Sequence, residues 1–301
     1  MPILTLTSSV LLSATLALPP QSPAPRGPDA KEVGTLIVAH GGGPAWDARV
    51  EKIAAEVRLP GPVGVSFLMG PGAKAHRFQD EVANLVKRGA KEIVVVPMLV
   101  SSHSGHYEQI RYLVGQRDDL DTTMMHHLHM SGIERAAGSV PLRLTKAVDD
   151  APEVANVLAD RANDLATDPS RQALFLVGHG PNSAEDYAEW MTNLRRVADT
   201  VRARTGFRSV LLDLVRDDAP PPVRAEAVAR VRELIQLQHQ LTGQDVVVVP
   251  VLISTGKVST EKLPKDLEGL PMAYTSEGLL PHSGMARWVE SRVRQAAGLA
   301  S

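Results

Sequence analysis

The chain carries one short pattern twice. Thr35-Leu36-Ile37-Val38-Ala39-His40-Gly41, an apolar run ending in His-Gly, returns as Leu174-Phe175-Leu176-Val177-Gly178-His179-Gly180. A second run, Ile93-Val94-Val95-Val96-Pro97-Met98-Leu99, returns in the same order as Val246-Val247-Val248-Val249-Pro250-Val251-Leu252. Two ordered matches signal a duplicated unit, so the fold must be one that a chain can build twice.

The repeated segments are short, β-branched and apolar throughout. Such runs suit strands buried on both faces, where helices cover a parallel sheet. Strands are expected near 35–39, 62–68, 92–100 and 140–146, and again near 173–178, 208–214, 245–253 and 271–275. Between them, Val50, Ile53, Ala54 and Val57 mark one helix face, and Phe78, Val82, Leu85 and Val86 another; further helices are expected near 184–204, 222–241 and 284–297. The alternation is that of βαβ units. The expected fold class is α/β: two tandem domains at 33–168 and 169–301, each a small parallel sheet flanked by helices, after a leader at 1–32. With 301 residues, 44% of them hydrophobic, the chain has material for both cores. A polar stretch, Gln116 to Ser139, breaks the symmetry as an insertion containing Met124-Met125-His126-His127-Leu128-His129-Met130. A lid or surface loop packed by its Met and Leu residues is its simpler reading, and collection of an ion the other.

Composition narrows the chemistry. A formal net charge of −2 without long basic runs gives no footprint for nucleic acid. The absence of cysteine removes disulfides, thiolate catalysis and thiolate metal sites, leaving His, carboxylate or Met as metal ligands. Ile3 to Leu18 is apolar, Ala14-Thr15-Leu16-Ala17 offers small residues for cleavage, and a Pro-rich stretch follows. That pattern points to an exported, periplasmic protein; the lack of Lys or Arg ahead of it keeps a cytoplasmic location as the alternative. No stretch beyond the leader approaches the length of a membrane span, so none is expected in the mature chain.

Ligands of open parallel sheets bind beyond the carboxyl ends of the strands. His40 lies at such an end, followed by three glycines that permit close approach to the backbone. His103-Ser104-Gly105-His106 follows the third strand of the same half. A strand-end imidazole can be satisfied by backbone hydrogen bonds or serve as a metal ligand; pairing His40 with His103 and His106 favours a divalent-metal site with open positions. His103 is equally readable as a partner of a ligand or as a loop residue. His282 reads as a helix cap, and His76 and His239 as helix-surface residues.

Together, a strand ending in His-Gly, a strand ending in Val-Pro and a following His-x-x-His resemble the class II chelatases of the sirohydrochlorin cobaltochelatase and ferrochelatase type. The resemblance covers residues 33–298, in the duplicated form of that family. It implies a lyase that inserts Co2+ or Fe2+ into a tetrapyrrole such as sirohydrochlorin, with the metal as substrate, no organic cofactor, and a monomer enclosing its cleft between two domains. Ni2+ is within the same ligand chemistry. His40 and His106 match the family's metal-binding and catalytic histidines. Lys74, Arg77 and Arg111 would pair with peripheral carboxylates of the macrocycle, although exposed helix cations are more often solvated.

The departures matter equally. Many members carry Glu at the end of the second strand, where this chain has Met69; in the second half Leu211-Leu212-Asp213 restores an acid, while Thr255-Gly256-Lys257 loses the imidazole. The second half then reads as a degenerate copy whose His179 and Asp213 contact substrate. The competing reading is a non-catalytic exported protein that binds metal or tetrapyrrole on the same scaffold. Phosphoryl transfer on a strand-end His is disfavoured, because Ala39 and Gly178 stand where a phosphate-binding Arg would precede His-Gly.

Overall fold

The structure, a computed structural model, describes residues 29–300. The expected export segment lies outside the described residues. The first sheet comprises β1 (Val33–Ala39), β2 (Val63–Phe67), β3 (Glu92–Met98) and β4 (Leu142–Leu144), in the order β2-β1-β3-β4. The second comprises β5 (Ala173–Gly178), β6 (Ser209–Leu214), β7 (Val246–Val251) and β8 (Met272–Tyr274), in the equivalent order β6-β5-β7-β8. All the strand pairings are parallel, and the central strands are buried along their whole length. This is the α/β architecture expected from unbroken β-branched runs.

Ten α-helices connect the described strands: α1 (Pro44–Glu56), α2 (Pro71–Ala75), α3 (Phe78–Lys87), α4 (Gly105–Leu113), α5 (Thr122–Ser131), α6 (Pro152–Leu165), α7 (Ala184–Arg204), α8 (Pro221–Thr242), α9 (Leu263–Asp266) and α10 (Ser283–Ala297). The boundary at 168/169 falls between α6 and β5, yet each half lends its last helix to the other. Helix α6 packs on β7 and α7 of the second sheet, and α10 on β3, β1 and α1 of the first. The two lent helices touch each other; a Cβ at Gly284 of α10 would meet Val157 of α6 at 2.8 Å, so the glycine permits their close approach. One continuous core therefore runs from the first sheet through α6, α7 and α10 to the inner residues Leu174, Leu176, Val247 and Val249 of the second. The outer face of the second sheet has its own cluster, in which Phe175 and Val248 meet Val231 and Ile235 of α8. This shared layer sets the two sheets' carboxyl ends against one another.

The stretch read as an inserted lid or surface loop contains α5. Asp121 caps it, accepting hydrogen bonds from the Thr123 and Met124 amides, and Gly132 in the left-handed region ends it.

Candidate metal centre in the cleft between the sheets

Strand β1 delivers His40 to its carboxyl end. Gly41 follows at φ 90°, and a Cβ there would lie 2.1 Å from the Met69 carbonyl oxygen, so only glycine lets the chain turn here. The loop is locked by the buried Asp47, which accepts from the Gly42 amide at 2.9 Å. His40 Nδ1 faces the Gly41 carbonyl oxygen at 2.6 Å and must donate to it, which leaves Nε2 as the lone-pair nitrogen.

His106 stands in the first turn of α4, whose amino terminus is capped by the Ser104 hydroxyl, accepting from the Tyr107 amide. Its Nδ1 lies 2.8 Å from Gln109 Oε1. The orientation of that fully buried amide is set from its other end, where Gln109 Nε2 donates to the Met124 carbonyl at 2.7 Å. Oε1 thus faces the ring, Nδ1 carries the proton, and Nε2 is again free; both tautomers are assigned from the hydrogen-bond network. The two rings meet edge to face with centroids 4.5 Å apart.

Burial is the main cause that holds both imidazoles neutral. His106 is pushed down to about 4 by desolvation first and by the neighbouring His40 second, against the hydrogen bond to Gln109. His40 is lowered by desolvation, opposed by its bond to Gly41 and reinforced by His179. His179, after β5, is lowered by desolvation too, opposed by Asp218 and Asp217. At neutral pH the cleft therefore presents uncharged nitrogen donors beside the exposed carboxylate of Asp218, a combination that attracts a divalent cation. Among the described residues, no three His, Asp or Glu side chains already stand close enough to hold an ion by themselves.

The other expected site residues divide. His179 does face the cleft, its ring edge to face with Trp190 at 5.2 Å, and Trp190 Nε1 donates to the His103 carbonyl at 2.7 Å across the seam between the halves. The His103 ring itself does not join the pair: it is 42% exposed and points to Glu189 at 3.8 Å. Arg111 is held within α4 by Glu108 at 3.1 Å, Arg77 packs against Gly132 at the end of α5, and Lys74 is exposed on the short α2.

Asp213 does not take the place expected of it. It pairs with Val177 within the ladder, one pair before its carboxyl end, as Ser66 pairs with Val38, so it is not the counterpart of Met69. It is buried and saturated: Arg230 Nε donates at 2.6 Å, the Tyr187 hydroxyl at 2.9 Å and the Leu214 amide at 2.7 Å. That carboxylate has no capacity left for substrate. The true counterpart of Met69 is Asp217, because the Met69 amide donates to the His40 carbonyl at 2.9 Å and the Asp217 amide to the His179 carbonyl at 2.9 Å. One extra residue, Arg216 at φ 51°, shifts the count. Asp217 is buried beside Lys262, whose Nζ donates to it at 2.6 Å. In the third-strand loop of the second half, Ser259 is closed onto Gly256 and Lys257 is exposed, so the imidazole is lost there.

Comparison with known proteins places the amino-terminal half. Residues 34–165 match the CbiX family. That segment, less than half of the chain, is similar to the CbiX family. Among solved structures, SirB from Bacillus subtilis, with Fe3+, superposes with a TM-score of 0.61 at 18% identity, covering 88% of this chain and 96% of SirB. DR2241 from Deinococcus radiodurans, described as a multi-domain protein with structural similarity to chelatases, gives 0.54 at 20% identity over 87% of this chain and 55% of its own. CbiX, described as the terminal enzyme for biosynthesis of siroheme in denitrifying bacteria, gives 0.52 at 15% identity over 87% and 99%. At such identities these likenesses establish the chelatase fold across both sheets. No curated protein matches the sequence. The class II chelatase resemblance read from the His-Gly and His-x-x-His motifs thus holds. Among the described residues, no helix is long and apolar enough to cross a membrane.

Proposed function

We propose that this chain is a metal chelatase that inserts a divalent cation, Co2+ or Fe2+, into a tetrapyrrole such as sirohydrochlorin. The observation that carries this reading is the His40–His106 pair: two neutral imidazoles in contact, each with Nδ1 engaged and Nε2 free, at the carboxyl end of a CbiX-type sheet. Imidazole binds Co2+, Fe2+ and Ni2+ without choosing sharply among them.

Insertion exchanges one divalent cation for two pyrrole protons. The free Nε2 atoms first hold the cation beside the macrocycle; as pyrrole nitrogens replace them, the same lone pairs become available to accept the two displaced protons. A nitrogen with the acidity of His106, about 4, keeps its proton only briefly at neutral pH and passes it to water. An opening of about 350 Å³ lies where the halves meet, lined by Gly42, Gly43, Trp46, Arg49, Gly256 and Lys257. Trp46 offers it an aromatic face and Arg49 and Lys257 offer cations, which suits a flat ring with carboxylate substituents.

The second reading is a non-catalytic exported protein that binds metal or tetrapyrrole. Met69 favours it, because a thioether there supplies neither a carboxylate ligand nor a base, and so does the apolar leader from Ile3 to Leu18. Pure protein incubated with sirohydrochlorin and Co2+, followed by the change in the macrocycle's absorption, separates the two. A chelatase loses insertion over background in His40→Ala and His106→Ala. Metal binding without insertion in the unaltered chain supports the binder, and unchanged insertion in both variants removes this pair from the chemistry.

A further inference from the structure

The pair of imidazoles is short of ligands. Two nitrogen donors leave a divalent cation weakly held, and the end of β2, which adjoins His40 through the Met69 amide, supplies a thioether in place of an acid. Helix α5, which the second half lacks, lies against α4, the helix that carries His106. Two contacts fix its approach. Gly105, the residue before His106, has room only because it lacks a side chain: a Cβ there would meet Met124 Sδ of α5 at 2.9 Å. Gln109, which orients His106, also holds the Met124 carbonyl.

His127 sits three residues beyond Met124 and thus on the same side of the helix. Of the three imidazoles on α5, His126 and His129 are exposed and His127 is partly buried. Its Nδ1 is fully enclosed and has no hydrogen-bond partner. A buried, unpartnered ring nitrogen is unfavourable and calls for a function. The ring is also near enough that its charge would act on both His40 and His106.

We propose that His127 is a third cation ligand of this site, carried by α5 and compensating for the acid missing at Met69. This rests on the reading of His40 and His106 as a divalent-cation site. The three rings do not already grip one ion together, so ligation requires the His127 ring to move toward the pair.

The test uses the full chain and CoCl2 alone, without macrocycle. X-ray absorption of the Co2+-loaded protein is expected to count three imidazoles; a count of two overturns the proposal and does not depend on any variant folding. Calorimetric titration is expected to show His127→Ala weakened at least about tenfold, with His126→Ala and His129→Ala equal to the unaltered chain. Binding by His127→Ala equal to the unaltered chain overturns the proposal. If His40→Ala and His106→Ala also bind normally, the cation site itself is refuted; if they lose Co2+ while His127→Ala keeps it, only the role of α5 is.

Discussion

Gln109→Leu is the substitution that most sharply probes the organisation of the cleft. The Gln109 amide is fully buried and makes two bonds, from His106 Nδ1 at 2.8 Å and to the Met124 carbonyl at 2.7 Å. Leucine fills much of its volume but leaves a ring N–H and a carbonyl without partners. At about 1–3 kcal/mol for each of the two abandoned groups, the fold should lose roughly 2–6 kcal/mol, read as a lower urea midpoint with an unchanged slope. The second effect is specific. With nothing to hold the proton on Nδ1, the ring can protonate Nε2 and turn its lone pair away from the cleft, and loss of such an orienting partner costs about 10–100-fold in metal affinity. Calorimetric titration with Co2+ under conditions where both proteins are folded separates the effects. A variant that is destabilised yet binds Co2+ within twofold of the unaltered chain would refute the tautomer argument and reduce Gln109 to a packing residue.

Three further outcomes are expected. His106 titrates near 4 in the fold and near 6.5 when unfolded, so the unfolded chain binds the extra proton first as pH falls; this stability is complete above about 6.5, is lost progressively down to about 4, and amounts to roughly 3 kcal/mol by linkage, to be checked by urea melts of the unaltered chain and His106→Ala across pH 4–7. Gly41→Ala places a Cβ 2.1 Å from the Met69 carbonyl oxygen at φ 90°, and should destabilise the fold by about 2 kcal/mol or more, read as a fall in Tm; an unchanged Tm would show that the turn can relax. Asp213→Ala strands Arg230 and the Tyr187 hydroxyl and should cost about 2–3 kcal/mol, less than a fully enclosed pair because Arg230 keeps 39% exposure, while Co2+ affinity stays unchanged; a selective loss of affinity would return Asp213 to the site.

The meeting of His40 and His106 was legible because its signals are local. His40 and His106 follow apolar runs whose end is set by the next few residues, and the position beyond a parallel strand's carboxyl end is where ligands gather. Residues whose role depends on register were not legible. Asp213 was misassigned because its register opposite Val177 makes it the match of Ser66, three residues short of Met69, and only the amide bonds to the His40 and His179 carbonyls reveal Asp217 as the equivalent position. Helix α5 had readable caps in Asp121 and Gly132, but its apolar periodicity is too weak to announce a helix. His127 could then be distinguished from His126 and His129 only by which ring the packing encloses.

What the sequence by itself determined is the duplicated α/β plan, since buried β-branched runs separated by amphipathic helices have few other ways to hide both faces of a sheet. Tertiary structure decided the rest. The exchange of α6 and α10 between sheets, the Trp190 bond to His103 and the approach of α5 to His106 join residues far apart along the chain. Such contacts depend on shape and volume at the meeting surfaces, which no local pattern of residues encodes.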